Sequence, residues 1–184
     1  MSTTGNYKSL TREEVEKVIL YDPVEGSFFK KSTGNRIHIN QYTEPNQTPK
    51  IKFTLNSVLY TAQVHNLAWL LHYGYHPEGV VIHRDRNKCN LKVGNLLDVS
   101  QKHYKSLLTA YRNLEENCKI MLHPNNQYKF IVGFITKGKM QYKLFDDDSS
   151  AKEYIKVKRR QFIKQIRLLG GVLPENYLTE LELL

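Results

Sequence analysis
The sequence predicts an α+β protein in two parts, and three patterns carry that reading. Short β-type runs separated by turn residues occupy much of positions 27–64, followed by one apolar helix. A strand then ends in a histidine, and a polar loop leads from it into a second helix. Beyond position 120 strict two-residue alternation is followed by a long basic amphipathic helix.

Thr11-Arg-Glu-Glu14 is a capping box, and Val15, Val18 and Ile19 share one helical face, so the spacing predicts a helix over 11–20. Tyr21-Asp-Pro-Val-Glu-Gly26 turns the chain. Strands are expected at Ser27–Lys31, Arg36–Ile39, Ile51–Leu55 and Val58–Val64, with Asn56-Ser57 as a hairpin turn between the last two. His65–Tyr73 carries Leu67, Ala68 and Leu71 at helical spacing and stops at Gly74, with Pro77 beyond. Trp69 and Leu71 belong to the core, and His65 reads as a packing and hydrogen-bonding residue. Val80–His83 is a strand, Arg84–Gly94 a loop, and a helix is expected from about Ser100 to about Asn117.

His123-Pro-Asn-Asn126 is turn chemistry and marks the expected boundary between a domain over 1–120 and one over 121–184. Tyr128, Phe130, Val132 and Phe134 alternate with more polar residues, as do Met140, Tyr142 and Leu144 after the Lys137-Gly-Lys139 turn. One sheet face should be apolar and the other basic. Asp146-Asp-Asp148 supplies acids for a helix start, and Ser150-Ala-Lys-Glu153 reads as a second capping box. The helix it opens turns Ala151, Tyr154, Ile155, Phe162, Ile166 and Leu169 inward and ends at Gly170-Gly171. A three-stranded sheet packed on one helix is the expected second domain.

The 184 residues are 40% hydrophobic and 24% charged, a globular composition with a formal net charge of +9. Such a balance suits a polyanionic partner. Cys89 and Cys118 form no C-x-x-C, which supports neither a zinc knuckle nor a disulfide framework and fits a reducing, cytoplasmic setting. No apolar run approaches a membrane span and no export signal opens the chain, so membrane partners are not expected. The cations Lys129, Lys139 and Lys143 with Gln141 on the strands, and Lys152, Lys156 and Arg159 on the last helix, are the candidate contacts to double-stranded DNA. The same surface also suits an acidic protein partner.

Hydrolysis of a phosphodiester needs water in line with the leaving oxygen, a base to deprotonate it, and a cation on the scissile phosphate. A histidine at a strand end can be that base, since its pKa lies near neutrality. Hard Mg²⁺ takes oxygen ligands. An Asn further along can brace the loop between strand and helix.

Four stretches together resemble the phage-type HNH nucleases: Tyr21-Asp-Pro-Val-Glu-Gly26, His65-Asn-Leu-Ala-Trp69, Pro77-Glu-Gly79 and the run from His83 to Leu96. Their order and spacing follow the pattern of that family, and the resemblance implies a ββα-metal (HNH) module preceded by short strands. The second half is similar to the ethylene-response-factor type of DNA-binding domain, whose sheet lies in the major groove. Carried over by position, His83 matches the family's general base and Asn95 its structural asparagine. The two positions that supply metal ligands in the family are Ile82 and Tyr104 here, and neither is a Mg²⁺ ligand. Asp85, Asp98 and His103 are the candidate substitutes.

Two functions follow from the resemblance. One is a double-stranded DNA-binding protein with an eroded metal site, acting as a monomer. The other is an HNH endonuclease or nickase that holds Mg²⁺ or another divalent cation through substitute ligands.

Overall fold
The computed structural model describes residues 4–39, 48–123, 126–173 and 177, and these fall into two compact units, 1–100 and 101–184. The class is α+β. The first unit contains β1 (Thr4–Gly5), α1 (Arg12–Val15), β2 (Ile19–Asp22), β3 (Ser27–Lys30), β4 (Lys50–Leu55), β5 (Val58–Gln63), α2 (Val64–Tyr73), β6 (Val80–His83) and β7 (Leu96–Val99). Its strands form three small sheets, ordered β1-β5-β4, β2-β3 and β6-β7.

The capping box at Thr11 is present, but the helix it opens ends at Val15. Residues Ile19–Asp22 pair instead with Ser27–Lys30 in an antiparallel hairpin, because that hairpin buries Ile19 and Phe28 together. The strand expected at 36–39 reduces to one bridge, Phe29 with Arg36. Asn56 and Ser57 both adopt positive φ, 50° and 62°, the two-residue turn expected between β4 and β5. Val64 opens α2 rather than closing β5, and Gly74 caps the helix at φ 83°. One core joins these pieces: Val15, Phe28, Leu67, Leu70, Val81, Leu91 and Leu96 belong to a single buried cluster.

The second unit contains α3 (Gln101–Arg112), continued by one π-helical turn over Asn113–Asn117, then β8 (Ile120–His123), β9 (Asn126–Thr136), β10 (Lys139–Phe145) and α4 (Asp148–Leu168). The antiparallel sheet has the order β10-β9-β8. The unit begins at Gln101, not near 121, because α3 is built into this half. Tyr111 donates its hydroxyl to Val172 O at 2.8 Å, and buried Asn113 bonds both the amide and the carbonyl of Ile135. Positions 124–125 of the expected turn lie outside the described residues. The last helix is capped by Asp147, whose carboxylate accepts from the Ser150 amide and hydroxyl, so Ser150 lies inside the helix and does not cap it.

Alternation in β9 and β10 creates two faces, and the pairing decides which one meets α4. Val132 is fully buried with Ala151, and Phe130, Phe145 and Tyr154 pack around them. Lys143 pairs with Val132 and Gln141 with Phe134, so both polar side chains lie on the helix side of the sheet. Met140, Tyr142 and Leu144 lie on the other side and are exposed. The expectation of a basic outer face carrying Gln141 and Lys143 is therefore reversed by the register. Lys143 instead sits over the rings of Tyr154 and Phe145, 4.3 and 5.3 Å from their centroids.

Candidate active site around His83
His83 ends β6, opposite Leu96 of β7. Within the loop between them, the asparagines and one aspartate form a hydrogen-bond network. Asn95 donates its amide to Asp85 Oδ1 and to Asn90 O, both at 2.8 Å, and its Oδ1 accepts from the Asp85 amide at 3.0 Å. Its carbonyl accepts from the Arg84 amide at 2.8 Å. Asn95 is thus a brace that ties the residues after His83 to the start of β7. Asp85 is the centre of the same network, accepting also from the Asn87 amide and the Asn90 side chain. Burial acts to raise its pKa, but the hydrogen bonds from Asn90 and Asn95 outweigh this and hold the carboxyl below the usual range.

Asp98 is just as fully engaged, at the other end of the strand pair. It lies opposite Val81, and its two oxygens accept from the amides of Glu78 and Gly79 at 2.9 and 3.0 Å. A side chain at Gly79 would run into the Val99 carbonyl, which explains the Pro77-Glu-Gly79 motif in packing terms. Ile82, directly before His83, is buried at 7% exposure. His103 and Tyr104 lie on α3, in the second unit.

His83 and His65 meet edge to face, with ring centroids 5.4 Å apart and planes at 87°. Burial lowers the pKa of His83, against the attraction of the Asp85 carboxylate, so the ring is neutral at pH 7. His83 Nε2 and His65 Nδ1 are buried without a hydrogen-bond partner among the described residues. A neutral imidazole has the basicity to take a proton from water, and for His83 this requires that the covered Nε2 first be exposed.

Burial, reinforced by His83 and Lys88, pushes His65 further down, to about 4 from 6.5. The unfolded chain binds this proton below about 6.5 while the folded one does so only below about 4. Stability contributed by neutral His65 is therefore present above that window and is lost as pH falls through it, by about 3 kcal/mol in full. Urea denaturation at about pH 7.5 and about pH 4.5 should show His65→Phe losing distinctly less stability than the parent chain. Equal losses in the two proteins would show that His65 is not the group responsible.

The motif Tyr21-Asp-Pro-Val-Glu-Gly26 serves this loop, which its turn chemistry alone does not reveal. The Tyr21 hydroxyl donates to Leu91 O, and the Val93 amide donates to Pro23 O at 3.0 Å. Gly26, at φ 66°, lies directly against the backbone of Leu91 and Lys92. The β2–β3 hairpin is a clamp on the segment that carries His83 and Asn95.

The predicted DNA contacts are dispersed. Lys129 pairs with Asp146 at 3.4 Å, Lys152 with Asp148, and Lys156 with Glu153 at 3.8 Å. Lys139 is exposed at the start of β10, Gln141 and Lys143 lie on the helix side of the sheet, and Arg159 is half-buried on α4. Among the described residues, no group of three or more His, Cys, Asp or Glu side chains is arranged to hold a metal ion, and no helix is long and apolar enough to cross a membrane.

Residues 62–104 match the HNH endonuclease family. That stretch contains α2, the His83 strand, the braced loop and the first residues of α3. Among solved structures, the chain is similar to the HNH homing endonuclease I-HmuI, described for its DNA binding and cleavage, with 19% identity and a TM-score of 0.40 over 74% of this chain and 76% of that one. No curated protein matches the chain.

Proposed function
We propose that the protein binds double-stranded DNA as a monomer, through an HNH-type scaffold of the homing-endonuclease kind that is deficient in metal-dependent cleavage. One observation supports the reading: the histidine that would serve as base ends β6, while the residue before it is a hydrocarbon and the candidate carboxylates Asp85 and Asp98 are hydrogen-bonded to amides. His83 is neutral with an unengaged nitrogen, Ile82 is a buried hydrocarbon, and Asp85 and Asp98 each use both oxygens on loop and turn amides. These residues do not fit a hard divalent cation, which needs several oxygen ligands facing one point. DNA binding is supported by the net charge of +9 and by the match of residues 62–104 to a nuclease family. The free thiols Cys89 and Cys118 suit a cytoplasmic setting. The sheet on one helix is offered as the ethylene-response-factor type of module on the same grounds of charge and strand order.

The unengaged nitrogen of His83 also supports a second reading, an active nickase that recruits Mg²⁺ or another divalent cation through Asp85 or Asp98. The two are separated by following duplex affinity and plasmid integrity together. Affinity should fall by roughly two to three orders of magnitude between about 50 and about 200 mM salt, while supercoiled plasmid stays intact in Mg²⁺ or Mn²⁺. Nicking that disappears in His83→Ala would establish the nickase instead.

A further inference from the structure
Within the second unit, α3, the β9–β10 turn and α4 enclose a groove of about 650 Å³. Lys102, Lys105 and Arg112 line it from α3, and Lys137 lines it from the turn. Positions 102, 105, 109 and 112 fall on one face of that helix, while Leu107, Ala110 and Tyr111 on the opposite face are buried. All four cations are exposed, and no carboxylate is among the residues lining the groove. Lys137 and Gly138 both hold positive φ, 50° and 75°, a tight two-residue turn that fixes where Lys137 is presented.

The contrast with the rest of this unit is one of net charge. Lys129, Lys152 and Lys156 each have a carboxylate within ion-pair distance, so their local fields are largely cancelled. Among the described residues, Arg112 is the one groove cation with an acidic neighbour within ion-pair distance, Glu116 at 4.0 Å. Four cations with one distant acid leave a concentrated positive surface, and its low-dielectric walls focus the field. From Lys102 to Arg112 the helix rises about 15 Å, a length over which one strand of B-DNA presents about four phosphates. Ser106 lies between the cations and adds a hydroxyl group of the kind that bonds phosphate oxygens.

We propose that the groove bordered by Lys102, Lys105, Arg112 and Lys137 is the surface of this unit that binds the phosphodiester backbone of duplex DNA. The proposal rests on the DNA-binding reading above and moves the contact away from the paired lysines of β9 and α4. It predicts affinity without base preference from this surface, since phosphate contacts position a protein and carry no sequence information.

The test compares two variants of the full chain with the same change in charge, Lys102→Gln/Lys105→Gln/Lys137→Gln and Lys129→Gln/Lys152→Gln/Lys156→Gln, by anisotropy on a fluorescent duplex across a salt series. The groove variant should lose roughly 100-fold in affinity at low salt, and its dependence of log affinity on log salt should flatten by about 2 to 3. The control variant should lose only a few-fold. All six lysines are at the surface, and circular dichroism checks that both variants keep the fold. Acetylation of the parent protein with and without duplex, read by mass spectrometry, should show Lys102, Lys105 and Lys137 protected by DNA. Equal losses in the two variants, or no protection of these three lysines while the parent binds, would overturn the groove and leave DNA binding standing. A parent protein with no salt-sensitive duplex affinity would overturn the DNA-binding reading itself, and the groove with it.

Discussion

Changing Ile82 to Asp and Tyr104 to Asn together is expected to produce a Mg²⁺-dependent nickase from a parent chain proposed to leave supercoiled plasmid intact. On the proposed reading the chain lacks metal ligands, not a base. His83 already stands at the end of β6 as a neutral imidazole with an unengaged Nε2, and Asn95 already holds the following loop. On the proposed HNH reading, an aspartate at 82 and an asparagine at 104 supply oxygen donors at the two positions that the resemblance assigns to metal ligands. Nicking should rise by roughly two to four orders of magnitude over the parent, and His83→Ala in the restored background should abolish it. A stability readout accompanies this. A carboxylate at the 7% exposed position of Ile82 is costly when unpaired, so the restored protein should melt below the parent without Mg²⁺ and regain stability as Mg²⁺ is added. A restored protein that folds and binds duplex yet neither nicks nor responds to Mg²⁺ would place the defect outside residues 82 and 104.

What could be read in the sequence was the part of the site made by consecutive residues. α2 follows from Leu67, Ala68 and Leu71 and its Gly74 stop, and the strand ending at His83 follows from Val80-Val-Ile, because these signals are local. The brace role of Asn95 was legible for the same reason, since its partners Asp85 and Asn90 lie within ten residues. Contacts between distant positions were not. Nothing local says that Tyr21 bonds Leu91, seventy residues away. Nor does sequence show that Asp98, a carboxylate near His83 in the chain, is spent on the Glu78–Gly79 turn at the far end of the strand pair. The sheet shows a further kind of gap. Period-two alternation fixes two faces, but which one is buried depends on where α4 lands, and α4 lands on Val132 with Ala151. Lys143 consequently faces Tyr154, although its alternation with Tyr142 and Leu144 reads as an outward basic row. The spacing of Lys102, Lys105 and Arg112 was equally visible in the sequence, but it acquires meaning only once Lys137 is brought beside it.

Gly26→Ala should be strongly damaging to the first unit, although position 26 is far from His83 in the chain. Two costs add. The residue sits at φ 66°, where an L side chain is strained by about 1–2 kcal/mol. A Cβ there would lie 2.5 Å from the Lys92 amide nitrogen and 2.7 Å from the Leu91 carbonyl carbon, and both neighbours are backbone. Relieving that overlap means separating the β2–β3 hairpin from the loop, at about 1–3 kcal/mol more. Separation also stretches the Tyr21–Leu91 and Val93–Pro23 bonds, so the total should approach about 4 kcal/mol, or roughly 15–25 °C in the melting midpoint of a unit this size. Gly34 is the internal comparison: it has φ 69° but nothing within 4 Å of its Cβ position, so Gly34→Ala should cost only the strain. If both variants melt within a few degrees of one another, the hairpin is not pressed against the loop and Gly26 is only a turn residue. If Gly26→Ala melts far below Gly34→Ala, the Tyr-Asp-Pro motif is the clamp that holds the His83 loop in place.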